Sequence, residues 1–229
     1  SHATSMPRLH LLSGWAFPPG AMRPLARALE PVASVTTAQA APPDLHASSR
    51  QVLIGWSLGG LLALQAVATG ARPRALVLIS STARFTSTPT FPAGVEPPRL
   101  RALSRALARQ PDEALRGFYD LCARPHAHPV DPPDLLLAAA RRLGPTVLAQ
   151  GLDHLNTIDL RANLPAVTVP VLLLHGTHDA VIPVAAARWL HEHLPTSQLI
   201  LHPETGHDLP LRNPAWCAAR ILHFIESCA

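Results

Sequence analysis

The stretch Gln51-Val52-Leu53-Ile54-Gly55-Trp56-Ser57-Leu58-Gly59-Gly60 restricts what this chain can fold into more than any other. Val52-Leu53-Ile54 is a short continuous apolar run of the kind a fully buried strand carries. It leads without a break into Gly55-x-Ser57-x-Gly59. From Leu58 to Ala68, the residues Leu61, Leu62, Leu64 and Val67 recur at helical spacing, and Gly70 is a helix stop. A strand that turns this sharply into a helix forces its serine into a strained backbone angle. Only residues without a side chain then fit at Gly55 and Gly59. The serine hydroxyl is expected above the sheet, at the positive end of the helix, as in a nucleophile elbow. The plainer alternative is a glycine-rich turn whose serine only caps the helix.

The rest of the chain supplies partners for that strand. Further strands are expected at 9–12, 32–37, 75–79, 171–174 and 198–201. Helices are expected at 22–29, 183–193 and 214–227, with a short one at 43–49. Strands buried on both faces and alternating with helices predict an α/β fold, a mostly parallel sheet flanked by helices. The alternation stops after Ala83. Pro89, Pro92, Pro97 and Pro98 mark a loop, and four helical stretches follow at 100–109, 112–123, 134–143 and 146–155. Residues 84–160 are therefore expected to form an all-helical lid, inserted into a core made of 6–83 and 161–229. Ser1 to Ser5, ahead of Met6, read as a leftover of expression and are set aside.

The 229 residues suffice for one sizeable domain, and 48% hydrophobic content argues against disorder. No apolar run reaches the roughly 18–20 residues that span a membrane, so no membrane association is expected. Cys122, Cys217 and Cys228 are odd in number and lack C-x-x-C spacing, which argues against a disulfide framework or a zinc ribbon. A reducing cytoplasm is the compartment expected. All 19 basic residues are arginine, and a net charge of +4 is too modest to point to nucleic acid.

A serine hydroxyl is a weak nucleophile near neutral pH. It needs a base within hydrogen-bond reach, and the base needs an orienting carboxylate. Both must lie on loops at the C-terminal ends of strands, because Ser57 does. Asp179 follows the 171–174 strand through His175-Gly176-Thr177-His178, and His207 follows the 198–201 strand after Gly206. Alone, Asp179 could be a turn or cap residue before Val181-Ile182-Pro183, and His207 is one of 13 histidines. The order Ser57, Asp179, His207 together with the strand context joins them as nucleophile, acid and base. The oxyanion of a tetrahedral intermediate needs two donors. The backbone amides of Leu58 and Trp15 are the candidates, and the Trp15 ring is expected to pack beside the 22–29 helix.

These residues resemble the α/β-hydrolase superfamily. More narrowly, Gly55-Trp56-Ser57-Leu58-Gly59-Gly60 and Gly151-Leu152-Asp153-His154-Leu155-Asn156-Thr157-Ile158-Asp159-Leu160-Arg161 are similar to the pimeloyl-acyl-carrier-protein methyl ester esterases of biotin synthesis. The resemblance covers most of the chain from Leu9 onward. It implies a serine carboxylesterase that works through an acyl-enzyme without a cofactor. Its partner would be an acyl-carrier protein bearing a pimeloyl methyl ester, and the chain would act as a monomer. It also implies substrate contacts from Trp15 and from Phe118, Tyr119, Leu121 and Cys122, which fall where those esterases line an acyl tunnel. Three features depart from the pattern. Ser13 replaces the usual histidine before Gly14-Trp15. The amino-terminal hairpin is largely missing. The glycine-rich segment common before the elbow is absent.

Arginines cluster in the inserted region. Arg116, Arg124, Arg141 and Arg142 are candidates for docking an acidic carrier protein, with Arg101, Arg105 and Arg109, four apart on one helix face, in reserve. A solvated helix face is the ordinary reading of such a run. His175, His178 and Asp179, or Cys122, His126 and His128, could be read as metal clusters. Neither follows a zinc-enzyme spacing, so no metal is expected. Two other functions remain open: hydrolysis of free small esters or C–C bonds, and a non-catalytic binding protein on the same fold.

Overall fold

The computed structural model describes residues 6–38 and 50–228. The helix expected at 43–49 and the first five residues lie outside them. Six strands, β1 (Arg8–Leu12), β2 (Ser34–Ala38), β3 (Gln51–Trp56), β4 (Ala75–Ile79), β5 (Val171–Gly176) and β6 (Ser197–His202), form one sheet. Every pairing in it is parallel, in the order β2-β1-β3-β4-β5-β6. Burial follows position. The apolar strands β3, β4 and β5 are buried at every residue, whereas β2 and β6, rich in Ser, Thr and Gln, are half-exposed edges.

The chain leaves β1 toward β2 and then crosses back to β3 on the other side. That makes the gap between β1 and β3 the topological switch point, where α/β sheets hold their ligands beyond the carboxyl ends of the strands. Right-handed crossovers running in opposite directions place α1 (Arg23–Leu29) and α2 (Leu58–Ala68) on opposite faces. After β4 come α3 (Pro97–Arg109), α4 (Pro111–Ala123), α5 (Pro133–Leu143) and α6 (Pro145–Thr157). Between β5 and β6 lies α7 (Val184–His193), and after β6 come the short α8 (Leu209–Arg212) and α9 (Pro214–Ser227), which packs against α1.

The four inserted helices begin one to three residues before the sequence-predicted starts. Each opens on proline, whose missing N–H costs nothing in a first turn and whose fixed φ suits it. Their inward faces follow helical spacing: Leu115, Tyr119 and Cys122 on α4, Leu136, Leu137 and Ala140 on α5, and Leu148, Leu152 and Leu155 on α6. Only Leu100 is buried on α3, which is the outermost of the four.

The insertion is cinched where it leaves and rejoins the sheet. Leu160 donates its amide to the Ala83 carbonyl at 2.9 Å. Asp159 is paired with Arg84 and Arg161, each at 2.9 Å. The Arg161 guanidinium holds the Asp159 carboxyl well below the usual carboxylate range, with Arg84 adding to the effect. This accounts physically for the Asp-Leu-Arg end of the 151–161 segment.

Candidate active site

Ser57 sits at φ 56° and ψ −117°, a left-handed angle that a residue with a side chain rarely adopts. Close packing imposes it. A Cβ on Gly55 would collide with the backbone of Gly59 and Gly60, and one on Gly59 with the carbonyls of Leu12 and Ser13. The first turn of α2 therefore lies directly on the ends of β3 and β1. The strained residue is also tied to β4. Its amide donates to the Ile79 carbonyl at 2.9 Å, and its carbonyl accepts from the Ser81 hydroxyl at 2.8 Å.

The same packing brings the loop after β1 beside the serine. A Cβ on Gly14 would come within 3.3 Å of the Ser57 Cβ. Among the described residues, neither the Trp15 nor the Leu58 amide has a hydrogen-bond acceptor. Two unspent amides at the positive end of α2 are what a developing oxyanion needs. Both residues line a cavity of about 190 Å³ walled by Leu62, Leu143, Val147 and Leu148.

Asp179 and His207 meet on the same edge of the sheet. The β5 end and the loop after β6 approach so closely that a Cβ on Gly176 would strike the Thr205 carbonyl. Asp179 has no exposed side-chain surface. Its Oδ2 faces His207 Nδ1 at 2.9 Å, and its Oδ1 accepts the amides of Val181 and Ile182, both at 2.8 Å. His207 is 1% exposed, and its carbonyl accepts the Trp56 indole N–H at 2.9 Å. The residue before the serine thus anchors the backbone of the histidine. Among the described residues the Ser57 hydroxyl makes no hydrogen bond. Serine–histidine bonds of this kind are commonly long in ligand-free enzymes and close on substrate.

The sequence profile of the alpha/beta hydrolase family matches residues 10–220. The chain belongs to that family. Within it, the hydrolase is 36% identical to a pimeloyl-[acyl-carrier protein] methyl ester esterase of Aromatoleum aromaticum over 179 residues, covering 74% of this chain and 72% of the relative. It is 30% identical to a protein of the same name from Stenotrophomonas maltophilia over 245 residues, covering 96% and 93%. A third, from Nitrosomonas europaea, is 36% identical over 166 residues, where the match spans 69% of this chain and 64% of the relative. Among solved structures, an esterase from Exiguobacterium antarcticum superposes with a TM-score of 0.81 at 21% identity, covering 97% and 92% of the two chains. At that identity the likeness is one of fold.

The inserted helices of the hydrolase rest on the loops that carry these groups. The Trp15 indole lies on the insertion rather than beside α1. It meets Phe118 edge to face at 4.8 Å and donates to the Leu148 carbonyl at 2.9 Å. Of the four α4 residues expected to touch substrate, Phe118 and Leu121 line a cavity of about 370 Å³ between α3 and α4. Tyr119 and Cys122 face the core instead. Tyr119 donates its hydroxyl to the Ala16 carbonyl at 2.8 Å, and the Cys122 carbonyl accepts the Asp208 amide at 3.1 Å. Burial, then the charges of Asp179 and Asp208, push the Cys122 thiol well up, so it stays protonated.

Arg116, Arg124, Arg141 and Arg142 are all exposed. Arg141 is paired with Asp112, whereas Arg116, Arg124 and Arg142 have no acidic partner among the described residues. Among the described residues no three His, Cys, Asp or Glu side chains are grouped to hold a metal. His178 is exposed, whereas His175 is buried against Asp179 with its Nε2 3.3 Å from Oδ2. Sequence reasoning noticed His175 only as a possible metal ligand. Its place at the end of an apolar strand, four residues before the acid, was the available signal. No described helix is long and apolar enough to cross a membrane.

Proposed function

We propose that this hydrolase is a serine carboxylesterase that cleaves the methyl ester of a pimeloyl group carried on an acyl-carrier protein. The observation that carries the chemistry is the buried Asp179–His207 pair, on the same sheet edge as the strained Ser57 and its two unspent amides. In this reading Ser57 Oγ attacks the ester carbonyl while His207 Nε2 takes its proton. Asp179 holds the imidazole by Nδ1, and the Trp15 and Leu58 amides receive the oxyanion. Methanol leaves with the proton from His207. A water, deprotonated by His207, then hydrolyses the acyl-enzyme and frees the carboxylate.

The substrate is supported by the names of the relatives and by the 151–161 segment, whose Gly151 lies against Trp15 and whose Asp159 cinches the insertion. The insertion, residues 84–160, is read as a lid, and Arg116, Arg124 and Arg142 as its docking charges for an acidic carrier. Every chemical group comes from one chain, so a monomer suffices, and a carrier-bound substrate suits the cytoplasm.

The test is hydrolysis of a pimeloyl methyl ester on acyl-carrier protein beside a short aryl ester. Release of methanol from the carrier substrate, abolished by Ser57→Ala and His207→Ala with the fold intact, supports the reading. A fall of roughly 10⁴–10⁶-fold is expected for either variant. Turnover of the aryl ester alone would make the enzyme a small-molecule carboxylesterase. Failure of Ser57 to react with a fluorophosphonate would leave a non-catalytic binding protein.

A further inference from the structure

His175 is the penultimate residue of β5 and is 1% exposed, in a strand otherwise made of Val, Leu and Gly. A core leucine would fill the space. The imidazole does something a leucine does not. Its Nε2 is 2.8 Å from the Ile182 carbonyl and 3.3 Å from Asp179 Oδ2. A carbonyl oxygen only accepts, so Nε2 carries the proton and donates it to Ile182, with the Asp179 carboxylate beside the ring at 3.3 Å. Burial, the largest influence on His175, favours the neutral ring, which leaves that tautomer in place.

The loop that carries the acid closes on this one nitrogen. Asp179 Oδ1 accepts the Ile182 amide while the Ile182 carbonyl accepts from His175, and Oδ2 meets His207 Nδ1 at 2.9 Å with His175 Nε2 beside it at 3.3 Å. We propose that His175 is a positioning residue for the reaction: its Nε2–H pins the 179–182 turn and fixes the Asp179 carboxylate with Oδ2 toward His207 Nδ1. The proposal rests on the reading of Ser57, Asp179 and His207 given above. A neutral donor suits the task. It draws on part of the carboxylate's charge without competing as a cation for His207. The other titratable groups around the carboxylates here are the Cys122 thiol on α4, and Asp208, which is paired with Arg212 on α8 at 3.1 Å and near His126.

Removing the donor has two consequences. The Ile182 carbonyl loses its partner, so the turn loosens. The Asp179 carboxylate also loses the fixed turn that aims it, so its hold on His207 Nδ1 is less constant and kcat falls more than KM changes. A role in packing alone predicts no recovery by a side chain that restores only the donor.

The experiment compares His175→Leu with His175→Gln, whose amide nitrogen reaches about where Nε2 lies. Activity on a short aryl ester is resolved into kcat and KM, with fluorophosphonate labelling of Ser57 and a thermal melt beside it. The expected result is a loss on the order of tenfold or more in kcat for the Leu variant with a smaller change in KM, and recovery of kcat by Gln. If the Leu variant does not fold, His175→Asn replaces it, being polar but too short to reach Ile182. A Leu or Asn variant with the wild-type kcat would overturn the proposal, as would equal losses in Leu and Gln. A wild-type enzyme that fails to label would instead overturn the assignment of Ser57, and the two failures are thereby separated.

Discussion

The Trp15 indole donates to the carbonyl of Leu148 at 2.9 Å, across 133 positions of sequence. Trp15 offers its amide at the candidate oxyanion site, and Leu148 belongs to α6 of the insertion. In the proposed reading one residue therefore serves the chemistry with its backbone and the insertion with its ring. The contact needs Gly151, because a Cβ there would collide with the indole.

Trp15→Phe should accordingly weaken both. It removes the indole N–H that the Leu148 carbonyl accepts beside its partner in α6, a loss of about 0.5–1.5 kcal/mol. The loop amide should also lose its fixed aim, lowering kcat by about tenfold with a smaller effect on KM. Gly151→Ala should lower kcat in the same way while keeping the indole N–H. Urea denaturation and steady-state kinetics on both variants check this. A Trp15→Phe enzyme with unchanged kcat would detach the ring from the oxyanion site.

Asp179→Asn tests the acid. Its carbonyl oxygen can still accept the Val181 and Ile182 amides, so the turn should keep its shape. The amide nitrogen would then face the N–H of His207 Nδ1, where Oδ2 had accepted at 2.9 Å, with His175 Nε2 close beside it. His207 must present the wrong tautomer to accept from it, and kcat should fall by up to about 10⁴-fold with the melting temperature less affected. Asp153 and Asp159, in the 151–161 segment, are the other carboxylates that could stand in for Asp179. Asp153 is exposed on α6 and Asp159 is occupied by Arg84 and Arg161, so Asp153→Asn should be active.

His175 also predicts a pH dependence of stability. Its proton affinity is lowered in the folded state, chiefly by burial. The unfolded chain therefore binds the proton first, near the ordinary histidine value of about 6.5. The stability this group contributes is full above that pH and is lost as pH falls through it toward the depressed folded value. Denaturation midpoints of the wild type should drop below about pH 6.5 more steeply than those of His175→Gln. The difference between the two curves isolates His175 from the other histidines. Parallel curves would mean that His175 titrates alike in both states.

Much of the site was legible because single residues there have few alternatives. Gly55 and Gly59 could be read as contact points for backbone, and they are. The order of Ser57, Asp179 and His207, each placed after a strand, could be read without knowing a distance. What escaped depends on the path of loops and on which face of a helix points where. The bond from His175 to the Ile182 carbonyl arises only when residues 177–182 bring the acid loop back to the end of β5. The apolar face of α4 gave no way to divide Phe118 and Leu121, which line a cavity, from Tyr119 and Cys122, which are spent on the core. Ring placement failed similarly for Trp15, whose partner helices are more than a hundred residues away.

The exposed arginines of the insertion give the last prediction. An acidic carrier protein docking over the site would be steered by charges on the insertion, while the chemistry at Ser57 needs none of them. The ion pair with Asp112 changes which arginines to test, because Arg141 is already engaged whereas Arg116, Arg124 and Arg142 are not. Reversing those three together to Glu should lower kcat/KM for the carrier-bound methyl ester by about tenfold or more and spare a short aryl ester. The loss should lie in the association rate and shrink as salt screens charges beyond about 8–10 Å. Arg141→Glu should behave otherwise. It sets two acids against each other between α4 and α5, so it should lower stability and affect both substrates alike. A triple reversal that harms both substrates equally would report a damaged insertion. One that harms neither would leave these arginines as solvated surface and move the weight to small esters.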